Sequence, residues 1–316
     1  MPSEMEAAML RQPAELERLF SDSERSDAAA ARIAGRRTFL VGTGTSWHAA
    51  NQGAYFLRRA GMDAWAVQAF DAAQWGPRPT PADALVLLSH RNTKRYATAV
   101  LERARDSRIP VIVISGRGVD GVDLPTVDQE TSSAFTISHL GALARLAQLA
   151  IALGAHLGDI ASVPDEVAAA LDDPAGAFDP PRRGVDFIGA GVNEWTAAEA
   201  ALKIRETSRV YASAYSVEQF LHGPSVALEG GDALVAFDGG GAGEQRLVEV
   251  LAAASASGVD VHRISRPALG ELLSAFPLTA IAQRIALNAA VAIGTDPDAF
   301  GFDVPGREEA WGAITL

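Results

Sequence analysis

The sequence predicts a doubly wound α/β fold, built twice in one chain. Three observations carry that reading. Short apolar runs such as Leu85-Val86-Leu87 and Val111-Ile112-Val113-Ile114 alternate with helical patterns. These runs are apolar at every position, as in strands buried on both faces of a parallel sheet. One strand–glycine–helix pattern also occurs twice, as T-F-L-V-G-T-G from Thr38 and V-D-F-I-G-A-G from Val185. Gly44 and Gly191 stand 147 residues apart, and Asp83-Ala84-Leu85-Val86 and Asp232-Ala233-Leu234-Val235 stand 149 apart. Spacing kept so closely across half the chain argues for two similar domains over one large sheet.

The elements follow in order. Residues 3–20 place Met5, Met9, Leu10, Leu16, Leu19 and Phe20 at helical spacing, with a break near Pro13. Residues 21–37 read as a second helix. Thr38 begins a strand that enters a glycine turn and then a helix reaching Arg59, closed by Gly61. Strands are expected at 64–69, 84–88 and 110–115, a weaker one at 122–127, and helices at 96–106 and 135–157. The proline-rich, acidic stretch 163–181 includes a helix and is the best linker candidate. It separates a first domain over 1–163 from a second over 182–316, the linker being about 164–181. The second domain opens with the Val185 strand, a helix over 195–208 and a strand from Asp232.

Composition narrows the function. The chain has 316 residues, 48% of them hydrophobic and 21% charged, which suits a packed globular protein. Its net charge of −12 offers no basic stripe for nucleic acid. It has no cysteine, which excludes disulfides and thiolate metal sites. No apolar run is expected to reach the ~20 residues that span a bilayer. The acidic, polar N-terminus lacks the pattern of a signal peptide, so a cytoplasmic protein is expected.

Three polar loops stand at strand ends in the first half. The Gly42-Thr43-Gly44-Thr45-Ser46 turn would point backbone N–H groups and the positive end of a helix dipole at one spot, which suits a phosphate. It is equally described as a tight turn with glycine chosen for backbone freedom. Ser89-His90-Arg91-Asn92-Thr93-Lys94-Arg95 follows the Leu85 strand, and Gln129-Glu130-Thr131-Ser132-Ser133 precedes a helix. Ligands of open α/β sheets sit beyond the carboxyl ends of the strands, so these loops converge on one side. Turn residues and helix caps would look the same. In the second half Glu199, Lys203 and Glu206 share one helix face, and His222 sits in the turn Leu221-His222-Gly223-Pro224. A carboxylate, a lysine and a histidine can move protons beside a carbonyl. The same spacing also describes a solvated face with an ion pair and an ordinary turn histidine.

These residues carry a resemblance. Gly44-Thr45-Ser46, Glu199-x3-Lys203-x2-Glu206, Ala214-Tyr215, Leu221-His222-Gly223-Pro224, Phe276-Pro277-Leu278 and Gly294-Thr295-Asp296 resemble the tandem sugar-isomerase (SIS) domain family. Within it they look like the isomerase half of glutamine–fructose-6-phosphate aminotransferases. The resemblance runs from about Met9 to the last helix. It implies two SIS domains, each a five-stranded parallel sheet flanked by helices, doubly wound in flavodoxin-like order. It implies a homodimer with shared sites, a sugar phosphate as ligand, and no metal or organic cofactor, nucleic acid or membrane. Gly44, Thr45, Ser46 and Ser89 would surround the phosphate, with His90, Arg91, Asn92 and Lys94 in the same loop and Thr131 and Ser132 closing the pocket. Glu206 would shuttle a proton between C1 and C2, His222 would open the sugar ring from the partner subunit, and Lys203 would assist.

Two departures bear on activity. The family's phosphate loop reads S-x-S-G-x-T, whereas Ser89-His90-Arg91-Asn92-Thr93-Lys94 loses a serine and a glycine and gains two cations. Those cations suit a phosphate, Arg91 even bidentately. The family's synthases carry a lysine near the end for a Schiff base, and no lysine follows Lys203 here. A glutaminase domain is also missing, so full synthase activity is not expected. What remains is an isomerase or deaminase of a phosphorylated (amino) sugar. The alternatives are a deglycase-type lyase on a fructosamine phosphate, which would release a free amine, and a non-catalytic phosphosugar sensor.

Overall fold

The structure is a computed structural model and describes residues 2–76, 78–181 and 183–314. The chain opens with α1 (Glu4–Leu10), α2 (Gln12–Phe20) and α3 (Glu24–Ile33). It continues through β1 (Arg37–Gly42), α4 (Thr45–Arg59), β2 (Ala64–Gln68), α5 (Ala69–Gln74), β3 (Asp83–Leu88) and α6 (Arg95–Asp106). β4 (Val111–Ser115), the two-residue β5 (Leu124–Pro125) and α7 (Ile137–Ala152) complete the first half. After α8 (Val163–Leu171) come β6 (Val185–Gly189), α9 (Asn193–Ser208), β7 (Ala212–Ser216), α10 (Val217–Leu221), β8 (Ala233–Asp238) and α11 (Glu244–Ala256). β9 (Asp260–Ser265), α12 (Gly270–Leu273), α13 (Ala275–Ile293) and α14 (Arg307–Gly312) end the chain.

Two compact units result. One comprises residues 14–131, 137–157 and 309–314, and holds the first sheet in the order β2-β1-β3-β4-β5, all parallel. That is the flavodoxin-like order, with the strand sequence reversing between β1 and β3. Every residue of β3 and β4 is buried, as runs covered on both faces require. Leu85, Leu87 and Val113 pack under Ala97, Val100 and Leu101 of α6. α4 and α7 pack together on the other side of the sheet.

The second unit comprises residues 2–13, 132–136 and 158–308, and holds a four-stranded parallel sheet, β7-β6-β8-β9. The expected five strands per domain therefore hold for the first sheet and not for the second. In the first half, 116–127 leave room for β5 to pair with β4. In the second, β9 runs through Arg266 and Pro267 straight into α12, and among the described residues no outer strand pairs with it. Leu234 and Ala236 of β8 pack against Phe220 of α10 and Leu247 and Val250 of α11. α9 and α13 lie together, and α8 joins them through Val163, Val167 and Ala170, all fully buried. The stretch read as a linker thus holds a core helix.

One sequence expectation changes. Gly270–Ile293 is long and apolar enough to cross a membrane by length and composition, with mean hydropathy 1.4. Yet 72% of that window is buried, and Phe276, Leu278, Ile281 and Ala282 are fully covered. Its apolarity is that of a core helix packed on α8 and α9. Pro277 is tolerated in its first turn, where no intrahelical acceptor awaits an N–H.

Candidate functional site

The first-half loops stand where strand order reverses. β1 pairs with β3 in parallel, Val41 opposite Leu87, so the turn after Gly42 and the loop from Ser89 leave neighbouring strand ends. Gly42 is required by close approach, because a Cβ there would run into the Ser46 carbonyl and lie 2.8 Å from the Trp47 nitrogen. Gly44 takes φ 56 and ψ −131, a region only glycine enters freely. It caps α4 with no side-chain hydrogen bond, and Thr45 and Ser46 form the helix's first turn. The positive end of a 15-residue helix therefore faces this strand edge.

The Ser89 loop is held from behind. The Ser89 carbonyl accepts from the Ser115 hydroxyl at 2.6 Å and from the Asn92 amide at 3.2 Å. The His90 carbonyl accepts from Gly116 N and from Gln129 Nε2, each at 3.0 Å. Asn92 takes φ 51, the left-handed region the turn demands of it. Ser89 is buried, and among the described residues its hydroxyl makes no hydrogen bond. The side-chain oxygen of Asn92 is likewise buried without a donor among the described residues. Lys94 is exposed at the N-cap of α6.

The structure joins this loop to the third one. The Glu130 amide donates to His90 Nε2 at 3.2 Å, and Arg91 donates to the Glu130 carbonyl at 3.2 Å. Part of Arg91's donor capacity is therefore spent within the protein. The buried Glu130 carboxylate accepts from Ser138 N at 2.9 Å and from the Ser138 hydroxyl, which caps α7. Burial holds the His90 imidazole below its ordinary pKa; nearby Glu130 works against that and Arg91 adds to it. Thr131 follows directly, while the Ser132 hydroxyl accepts from the Ala134 amide at 3.2 Å, folding its own turn. Glu130 is the residue that sequence reasoning missed. Its cap partner lies eight positions on, outside the usual capping-box spacing.

In the second unit, α9 buries Glu199 and Lys203 almost completely and leaves Glu206 slightly exposed. Lys203 Nζ stands 2.6 Å from Glu206 Oε2 and 3.5 Å from Glu199 Oε1. The face is no solvated one, because an ammonium here sits out of water between two carboxylates. His222 lies elsewhere. It ends α10, its side chain 68% exposed, and pairs with Glu218 at 3.3 Å. The hydrogen bond from Arg246, and then that from His222, hold the Glu218 carboxyl below its usual range.

Comparison places these features among known proteins. No protein-family model matches the chain. It is 30% identical to the glutamine–fructose-6-phosphate aminotransferase (isomerizing) of Aeropyrum pernix over 315 residues, 85% of this chain and 51% of that protein. The chain thus spans about half the length of that relative. The C-terminal domain of glucosamine-fructose-6-phosphate aminotransferase from Francisella tularensis superposes with a TM-score of 0.82 at 18% identity, covering 94% of this chain and 98% of that one. Glucosamine-6-phosphate deaminase from Thermotoga maritima gives 0.79 at 21% identity, covering 94% and 97%. By its sequence relatives and its fold together, the chain is similar to the isomerase half of these aminotransferases and shares the fold of tandem SIS (sugar isomerase) domains.

Proposed function

We propose that the chain binds a phosphorylated sugar and catalyses its aldose–ketose isomerisation, or the deamination of the corresponding amino sugar. The observation that carries this reading is the buried Lys203–Glu206 pair on α9, 2.6 Å apart. A lysine and a carboxylate withdrawn from water cost free energy, and a site of proton transfer is where that cost has a use. The relatives agree in kind, being an aminotransferase with isomerising activity and a deaminase of a hexosamine phosphate.

Each group then has a task. Thr45, Ser46 and Ser89 hold the phosphate against the α4 N-terminus, with Gly44 permitting the approach. Arg91 and Lys94 add charge, and Thr131 and Ser132 close the loop side. The Glu206 carboxylate takes the proton from the carbon beside the carbonyl and returns it to the neighbouring carbon, so the C=O moves between C1 and C2. Lys203 offsets charge on the enolate oxygen. His222, exposed at the end of α10, opens the ring by moving a proton at its oxygen, and serves the site of the other subunit in a homodimer. For an amino sugar the same shift gives an imine, which water hydrolyses to ketose and ammonia. A cytoplasmic setting belongs to the same proposal.

Sugar phosphates are first screened by thermal shift, a ligand at 100 times its dissociation constant adding about 2.7 kcal/mol. With the best hit as substrate, Glu206→Gln is expected to lower turnover at least ~100-fold while the ligand still stabilises the protein. An unchanged rate removes Glu206 as the base. Release of a free amine from a sugar-phosphate conjugate would favour a deglycase. Tight binding with no turnover of any candidate would make the chain a sensor.

A further inference from the structure

The turn that ends β6 is built like the one that ends β1, yet its chemistry is inverted. A Cβ at Gly42 would strike the Ser46 carbonyl, and one at Gly189 would strike the Asn193 carbonyl, four residues on in each case. Gly44 and Gly191 share the same φ of 56. Each turn thus sets a long helix, α4 or α9, with its N-terminus at the carboxyl edge of a sheet. In the first half the next residues are Thr45 and Ser46, and β3 runs out in Ser89. In the second half Val192 and Asn193 stand in those places, and β8 ends on Asp238. Val192 is fully buried, and the Asn193 amide donates to the Ser274 hydroxyl at 2.9 Å. Asp238 is held by Arg263 and by the Gly240 amide at 2.8 Å.

Glu271 lies in front of this turn. A Cβ on Gly191 would come within 2.7 Å of its Oε1, and one on Gly241 would collide with its Oε2. The carboxylate is therefore lodged against two glycines, one in the loop after β6 and one in the loop after β8. Its backbone is fixed as well, because the Ser274 hydroxyl donates to the Glu271 carbonyl at 2.6 Å and Ser274 N to the Gly270 carbonyl at 3.0 Å.

We infer that Glu271 is a built-in occupant of the second half's anion site, so that each chain offers one phosphate site and not two. A tethered carboxylate at the positive end of α9 gains the dipole's attraction without the translational cost of capturing a free anion. With Asp238 on the neighbouring strand end, it also repels any further anion. The inference rests on reading the Gly42–Ser46 turn as an anion cradle.

The test compares wild type with Glu271→Ala by thermal shift, titrating acetate and inorganic phosphate at an ionic strength held constant with chloride. Glu271→Ala is expected to melt roughly 2–4 °C lower. Acetate or phosphate should then recover part of that loss, beyond the shift it gives wild type. The first-half turn is the same in both proteins and cancels in the difference. Equal anion responses, or an unchanged melting point, overturn the inference. Failure of the first-half reading shows separately, as wild type with no response to phosphate. Glu271→Gln keeps the side chain's length without its charge and covers the case in which the alanine variant does not fold. It too should melt lower, and a melting point equal to wild type's overturns the inference.

Discussion

His90 shows how a single residue ties site to stability. Burial keeps its imidazole neutral, with the ring accepting from the Glu130 amide. Its folded-state pKa is depressed, so the unfolded chain takes up the proton first. The stability it supports is present above about pH 6.5, the unfolded value, and is lost as pH falls through that value towards the folded one. Urea unfolding is expected to show stability falling between about pH 7 and 5.5, and less steeply in His90→Gln, whose amide can still accept from Glu130. Equal slopes in the two proteins would assign the loss to other groups. Little of this was legible in the sequence, because Glu130 stands 40 positions away. The Lys203–Glu206 pair was legible, since a helix places residues three apart side by side. Its burial was not, because that depends on α13 covering α9.

Among the elements, α7 depends on a cap outside its own sequence. The Glu130 carboxylate takes the Ser138 amide and hydroxyl at the helix's N-terminus while the Glu130 backbone anchors the His90 loop. Glu130→Ala should lower unfolding free energy by about 1–3 kcal/mol and loosen sugar-phosphate binding together. Glu130→Gln, which keeps an acceptor, should lose less in denaturant titrations. A loss of stability with binding intact would uncouple the cap from the loop. Strands were the most legible elements, because fully apolar runs such as β3 and β4 have few other uses. β5, only two residues long, was legible as the weaker strand expected at 122–127, whereas α5, with six residues, is too short for periodicity to mark. The fifth strand expected of the second sheet was implied by the family resemblance alone, and the chain instead passes from β9 into α12 within four residues.

At the scale of the whole molecule, duplication shows in side chains as well as strands. Arg37 pairs with Asp83 at 2.7 Å and Thr80 N donates to that carboxylate at 2.6 Å. Arg183 stands 3.6 Å from Asp232, which accepts from Glu229 N at 2.9 Å. Both pairs lie at the amino ends of their sheets and record common construction. The proposed division of labour between subunits has its own test. Glu206→Gln and His222→Gln homodimers should each be slow, and mixing them with subunit exchange should restore about a quarter of wild-type activity, because half the dimers are hybrid and each hybrid has one intact site. No recovery, with hybrids demonstrated, would place His222 in its own chain's site.

The four-stranded sheet carries one more consequence, for behaviour in solution. β9 ends its sheet, so its outer hydrogen-bonding groups form an edge on which another chain's strand could add. Its sequence is Asp260-Val261-His262-Arg263-Ile264-Ser265, and three of those six residues bear charged or titratable side chains. Arg263 is also drawn aside to Asp238 and Glu244. A strand interrupted by charge makes a poor template for aggregation, and the net charge of −12 favours solubility. The shortened sheet is tolerated because its last strand is written to stay last.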